Sequence, residues 1–221
     1  MVTILVSGSG TGVGKTLVTG ALAQMAARHS RSVQIIKPVQ TGVTGREPSD
    51  AEIAAKLADL PPDCVHTLRR YQAPLAPLAA ALAEGASLQI KEVLQEISTL
   101  PPVDVRLVEG AGGVAVPLGP DGWDWVDFAQ AVRADAVVLV VANQLGAINQ
   151  SRLVYDYVRG KSRKEISCGI FLNAITRPPQ DVASSTRWAL ETCAVPLWGD
   201  LAADAADPVL HDPKLKKWLM S

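Results

Sequence analysis

Apolar residues fall along this chain in two alternating rhythms. Short, mostly apolar runs read as strands: Val2 to Val6, Ser32 to Lys37 closed by Pro38, Val103 to Val108, Ala136 to Ala142, Ile166 to Leu172, and a final one at Val195 to Leu201. The first lacks polar alternation and is expected to be buried on both faces; Ala136 to Ala142 is the most apolar and belongs at the centre. Between these runs the spacing turns helical. Leu17, Ala21, Leu22 and Met25 mark a helix from Leu17 to His29; Leu88, Val93, Leu94 and Ile97 mark one from Ser87 to about Ser98. Tyr71 to Pro77 is a proline-punctuated turn leading to an alanine-rich helix, Leu78 to Glu84. Asp121 to Arg133 contains a helix with Trp125, Phe128, Ala129 and Val132 inward, and others run from Asn149 through Val158 and from Pro178 to Thr192.

Strands and helices in alternation predict an α/β fold with a mostly parallel central sheet and helices on both faces. The first strand–helix–strand unit predicts a parallel pair joined by a right-handed crossover, with ligands beyond the carboxyl ends of the strands. No internal repeat, low-complexity segment or linker divides residues 1–221, which read as a single domain.

Charge and composition narrow the classes. The chain has 21 Lys and Arg against 22 Asp and Glu, a formal net charge of −1, which gives no footprint for nucleic acid or an anionic membrane. No apolar run approaches the ~20 residues that span a bilayer, and the amino terminus enters a strand directly, so no targeting peptide is expected. Cys64, Cys168 and Cys193 have no zinc spacing and no close pair. They read as small buried hydrophobes in a reduced, cytoplasmic protein. His29, His66 and His211 lack ligand spacing and are expected at surfaces or helix ends. The basic tail from Lys214 to Met220 reads as a capping helix, with a membrane-surface helix as the alternative.

The chemistry begins at Gly8-Ser-Gly-Thr-Gly-Val-Gly-Lys-Thr16, between the first strand and the first helix. Such a turn gathers backbone N–H groups around a phosphate at a helix N-terminus. Lys15 would reach the terminal phosphates of a nucleotide and Thr16 would hold Mg²⁺. The usual pattern puts a glycine where this chain has Ser9, and the nearest earlier glycine is Gly8. Thr16, Asp50 and Glu109 supply oxygens at strand ends or adjoining loops, a set suited to Mg²⁺ together with substrate phosphates. Glu109 opens a glycine-rich stretch, Gly110-Ala-Gly-Gly113; its other reading is a capping or ion-paired acid. Asp50 could equally serve the dipole of a helix capped by Ser49. Lys37, at the end of the second strand, is either an exposed charge or a second cation facing Lys15 across a transferred phosphoryl group.

These motifs, taken in order from residue 2 to about 201, resemble the dethiobiotin synthetase family. Gly8 to Thr16 keeps that family's unusual glycine spacing. Lys37-Pro-Val39, Ser49-Asp-Ala51, Val108-Glu-Gly-Ala-Gly-Gly113 and Leu145-Gly-Ala-Ile-Asn149 match its later motifs, and Thr41 stands at a substrate-binding serine or threonine. The resemblance implies a P-loop NTPase-like fold and an ATP-dependent cyclo-ligase acting on 7,8-diaminononanoate and CO₂. It implies catalytic roles for Lys15 and Lys37, and ATP contacts at Gly12, Val13, Gly14, Lys15, Thr16, Leu17, Asp50, Glu109, Gly110, Ala111, Gly112 and Asn173. Mg²⁺ would fall to Thr16, Asp50 and Glu109, and the diamine end of the substrate to Thr11 and Thr41. It also implies a homodimer in which Gly146, Ala147, Ile148 and Asn149 hold the carboxylate of a substrate bound in the partner. Two positions depart from the family pattern: Ala174 follows Asn173 where a polar residue is usual, and Ala202 replaces a late proline. Fewer adenine-specific contacts are expected in consequence.

Other readings share the loop. Partition and division-site switch ATPases resemble K-G-G-x-G-K-T there and need a lysine at the place of Gly10. Cobyrinate amide synthetases carry a nucleophilic cysteine in a tight turn, a setting that none of the three cysteines occupies. A ligase that carboxylates a different amine remains the nearest alternative.

Overall fold

The computed structural model describes residues 1–221 except Pro120, 163–165, Arg177, Asp204 and Ala206. Its strands are β1 (Val2–Gly8), β2 (Val33–Gln40), β3 (Val65–Arg70), β4 (Val105–Glu109), β5 (Ala136–Ala142), β6 (Ser167–Asn173), β7 (Leu197–Leu201) and β8 (Val209–Leu210). They form one eight-stranded sheet in the order β3-β2-β4-β1-β5-β6-β7-β8. Every pairing is parallel except β7 with β8. The helices are α1 (Lys15–Arg28), α2 (Asp50–Leu57), α3 (Pro77–Ala83), α4 (Ile90–Thr99), α5 (Trp125–Ala131), α6 (Ala147–Lys161), α7 (Gln180–Thr192) and α8 (Pro213–Met220).

Side chains alternate across the sheet and so feed two cores. Ile4 and Val6 of β1 and Val138 and Val140 of β5 pack with α1, α2 and α8 through Val18, Leu22, Ala54, Leu215 and Leu219. Leu5, Val137, Leu139 and Val141 face the other way, toward Val93 of α4, Phe128 of α5, Val158 of α6 and Leu190 of α7. The expected two-faced parallel sheet is the observed one.

Three features correct the sequence reading. The first two predicted strands do not pair. β4 lies between β2 and β1, with Ile36 opposite Val108 and Val6 opposite Glu109. That insertion carries Glu109 into the space between the second strand and the phosphate loop. Second, Pro38 does not close β2, which continues to Gln40. Pairing with β4 stops at Ile36, and beyond it β2 is paired only with β3, so the missing N–H of Pro38 costs no ladder bond on the β4 side. Third, β3 and β8 were not anticipated, and β7 is not the last strand. Val65-His-Thr-Leu-Arg-Arg70 carries no apolar run because it is a half-exposed edge, where one face and one side need no burial. His66 accordingly lies in a strand rather than at a helix end. Of the cysteines only Cys168 is buried; Cys193 is exposed.

The tail forms α8, capped by Asp212, whose carboxylate accepts the Leu215 N–H at 2.7 Å. Leu215 and Leu219 are fully buried against the core containing α1. Leu215→Ala and Leu219→Ala are each expected to lower the free energy of unfolding by about 2–5 kcal/mol in urea titrations, as for other buried leucines. A helix reserved for a membrane surface would leave the transition unchanged.

Candidate active site

The carboxyl ends of β1, β2 and β4 open into a cleft of about 810 Å³. Its lining brings together Thr11, Gly12, Gly14, Lys15, Thr16, Lys37, Thr41, Asp50, Glu109, Ala111 and Gly112. The loop before α1 begins where β1 ends at Gly8. Gly14 caps α1 with φ +88°, and a Cβ there would lie 1.9 Å from the Asn173 amide nitrogen. Backbone conformation and space both demand glycine at this position.

Glu109 is the hub of the cleft. It is fully buried, and its Oε1 accepts from Thr16 Oγ1 at 3.0 Å and from Lys37 Nζ at 2.9 Å. Lys37 is 1% exposed, which removes the exposed-charge reading. Its ammonium also donates to Asp50 Oδ2 at 2.6 Å and to the Gly110 carbonyl at 3.1 Å, using all three N–H groups. Burial pushes Lys37 toward the neutral form, but the charges of Glu109 and Asp50 outweigh it and hold its pKa above the ordinary lysine range. Among the described residues no carboxylate forms an ion pair with Lys15. Its Nζ donates to the Gly10 carbonyl at 2.8 Å, and burial, reinforced by the neighbouring Lys37 charge, lowers its pKa to about 8.

Asp50 is placed by the cap of α2. Ser49 Oγ accepts the Glu52 N–H at 3.3 Å, while Glu52 Oε2 accepts the Ser49 N–H at 2.7 Å, a reciprocal capping box. Asp50 lies in the first turn of that helix, as its dipole reading expects, and it also pairs with Lys37. The glycine-rich stretch after β4 is fixed from the other side of the sheet. Buried Trp125 donates its Nε1–H to the Ala111 carbonyl at 2.8 Å. The start of α5 is held by Asp124, which caps the helix, accepts from Tyr157 Oη and lies 2.7 Å from Lys161 Nζ on α6.

Other expected residues stand apart from the cleft lining. Asn173 is buried and directs its Nδ2 to the Val13 carbonyl at 3.0 Å, bracing the phosphate loop from behind. Val13 itself packs into the core, Leu17 is exposed, and Gly110 contributes its carbonyl to Lys37. Gly146 to Asn149, at the start of α6, do not line the cleft of their own chain. Ser9, the residue that breaks the usual loop pattern, donates to Gln150 Oε1 on α6 at 2.9 Å.

Sequence reasoning missed part of the wall. Val43, Ile53, Pro74, Leu75, Pro77 and Val116 give the cleft an apolar side, and Gln40 also belongs to its lining. The prolines were legible only as a turn, and a glutamine after a strand carries no motif. Tyr71 packs with Val39, Ala80, Ala81 and Leu88 in a small core outside the cleft.

Known proteins place this arrangement. An ATP-dependent dethiobiotin synthetase BioD of Mycobacterium avium is 40% identical over 209 residues, 93% of this chain and 89% of that protein. One from Mycobacterium tuberculosis is 38% identical over 198 residues, 88% and 84% of the two chains. The chain belongs to the ATP-dependent dethiobiotin synthetase family. A family model described as an AAA domain matches residues 2–203. Among solved structures the chain is similar to the MinC:MinD cell division protein complex of Aquifex aeolicus, with TM-score 0.52 and 16% identity over 100% of this chain and 85% of that one. It is likewise similar to the signal recognition particle 54 kDa protein of Aeropyrum pernix K1 in complex with GDP, with TM-score 0.52 and 16% identity over 99% of this chain and 46% of that one. At that identity these likenesses establish the fold, a P-loop-type α/β sheet. As a dethiobiotin synthetase family member the chain is an ATP-dependent ligase.

The lowered pKa of Lys15 has a measurable consequence. If Lys15 meets the triphosphate, the contact favours its charged form, and nucleotide binding to the metal-free protein should take up a proton around pH 8. ATP affinity then falls as pH rises through that value. Calorimetry in buffers of different ionisation enthalpy should detect the uptake there and find it absent near ~pH 6, where Lys15 is already charged.

Proposed function

We propose that this protein closes the ureido ring of dethiobiotin from 7,8-diaminononanoate, CO₂ and ATP, with Lys15, Lys37, Thr16, Asp50 and Glu109 as its central groups. The observation that carries the reading is the junction at Glu109, where the hydroxyl of the phosphate loop and the strand lysine meet on one buried carboxylate. In this reading CO₂ adds to one amine of the substrate to give a carbamate. A carbamate oxygen attacks the γ-phosphorus of ATP and ADP departs. The second amine then attacks the carbamate carbon, and phosphate leaves as the ring closes.

The protein's own groups contribute position and charge. Backbone N–H groups of Gly12 to Thr16 hold the phosphates at the N-terminus of α1. Lys15 and Lys37 neutralise charge on the transferred phosphoryl group, and Lys37 also faces the carbamate. Thr11 and Thr41 hydroxyls orient the diamine. The apolar wall of Val43, Ile53, Leu75 and Val116 excludes water from a mixed anhydride that water would hydrolyse.

The residues fit Mg²⁺. Among the described residues Glu109 Oε2 is buried with no hydrogen-bond partner, an acceptor left open on the carboxylate that Thr16 and Lys37 share. Among the described residues no three His, Cys, Asp or Glu side chains cluster as a self-contained cage. Two carboxylates and a hydroxyl suit an ion that keeps waters and takes further oxygens from substrate phosphates. Thr16, Asp50 and Glu109 would hold it, and when bound it supplies charge neutralisation at the phosphates.

The chain acts as a homodimer in this reading. The N-terminus of α6, Gly146 to Asn149, serves the carboxylate of a substrate bound in the partner, as befits the positive end of a helix dipole. No described helix is long and apolar enough to cross a membrane, and a biosynthetic ligase of this kind is expected to work in the cytoplasm.

The direct test is ADP release with 7,8-diaminononanoate and bicarbonate, with the cyclic urea followed by mass spectrometry. Release that is indifferent to both substrates, with no cyclic urea, removes the proposal. Lys37→Gln keeps hydrogen-bonding capacity toward the two carboxylates but not the charge. It should cut turnover by about a thousandfold while leaving much of the nucleotide affinity, since the phosphate loop is untouched, and full activity would exclude Lys37 from the chemistry.

A further inference from the structure

Gln40 joins the parts of the cleft that the proposed reaction must hold together. Its side chain is buried at the end of β2, with Oε1 accepting the Asp50 N–H at 2.9 Å and Nε2 donating to the Thr41 carbonyl at 3.2 Å. Its backbone carbonyl accepts the Tyr71 N–H at 2.9 Å, tying in the strand end that leads to Pro74 and Leu75. The orientation of the amide is set by chemistry, since a backbone N–H can only donate and a carbonyl can only accept.

The contact to Asp50 fills a specific need. A helix start leaves its first N–H groups without intrahelical partners. The capping box of α2 satisfies the N–H groups of Ser49 and Glu52 but does not reach that of Asp50. Gln40 supplies that acceptor from another element. The residue whose backbone it fixes is the one whose carboxylate pairs with Lys37 at 2.6 Å. The other half of the same amide fixes Thr41, which also lines the cleft.

We propose that Gln40 is a positioning residue for the ligase reaction, its carbonyl half setting Asp50 toward the metal-phosphate side and its amino half setting Thr41 toward the amine substrate. The inference rests on the proposed roles of Asp50 and Thr41. It assigns two separable functions to one side chain, and a merely structural glutamine would not separate them.

Two substitutions divide the halves. Gln40→Met keeps the length and removes both hydrogen bonds; Gln40→Glu keeps an acceptor for Asp50 and loses the donor to Thr41. The readouts are nucleotide affinity without metal, Mn²⁺ affinity of the complex with a non-hydrolysable ATP analogue by electron paramagnetic resonance, and KM for 7,8-diaminononanoate. Gln40→Met should bind nucleotide as the parent does but lose about tenfold or more in Mn²⁺ affinity, the usual scale for a group that orients a metal ligand, and its KM for the diamine should rise. Gln40→Glu should recover the Mn²⁺ affinity while keeping the raised KM. Parental values for both in Gln40→Met, or a uniform loss that includes metal-free nucleotide binding, would overturn the proposal. If Gln40→Met does not fold, Gln40→Glu decides: near-parental Mn²⁺ affinity with a raised KM supports the assignment, and a parental KM overturns it. Failure of the functional reading is distinguishable, because the parent protein would then make no cyclic urea whatever the Mn²⁺ data.

Discussion

Everything in the cleft depends on one buried carboxylate. Burying Glu109 without partners would carry a severe desolvation penalty, and removing one member of a buried pair typically costs several kcal/mol. The protein meets that constraint with Lys37 on one side and the Thr16 hydroxyl on the other. Lys37 is in turn balanced by Asp50, so the four groups Lys15, Lys37, Asp50 and Glu109 together carry no net charge. A polyanionic ligand meets two cations already in place, one of them held charged by its neighbours and the other poised near neutrality. In the proposed reaction, preorganised charge of this kind would need little rearrangement as the phosphoryl group moves.

The surrounding scaffold works to keep those groups still. Asn173 braces the phosphate loop through the Val13 carbonyl, and Trp125 braces the stretch after Glu109 through the Ala111 carbonyl. Ser9 links the loop to α6, while Asp124, Tyr157 and Lys161 link α6 to α5. The two helices that brace the site, α5 and α6, thus pack on the same face of the sheet. Three of these contacts are side chain to main chain or hydroxyl to amide, directional bonds that suit positioning better than raw stability.

Much of this was legible in advance, for identifiable reasons. The phosphate loop, Lys37, Asp50 and Glu109 could be named because special backbone conformations and charges at strand ends leave local marks. Strands buried on both faces were legible because their composition is nearly uniform, as in β5. What escaped lacked such marks. β3 is a mixed, polar edge; Gln40 is an uncharged amide whose partners, apart from Thr41, lie far along the chain; Pro38 looked like a strand end because its tolerance depends on where a neighbouring strand stops.

The sequence by itself determined the chemistry available: a glycine-shaped anion site, two lysines, two carboxylates and a run of motifs that fixed the family. It could do so because those features depend on residue identity and on spacings of a few positions. Only the tertiary structure decided how they meet. Parallel strands are joined by long crossovers, so sequence neighbours need not be sheet neighbours, and β4, whose residues lie about a hundred positions from the loop, is inserted between β1 and β2. That choice of strand order turns Gly8 to Thr16 from a generic phosphate loop into one wall of a site whose opposite wall is Lys37 and whose floor is Glu109.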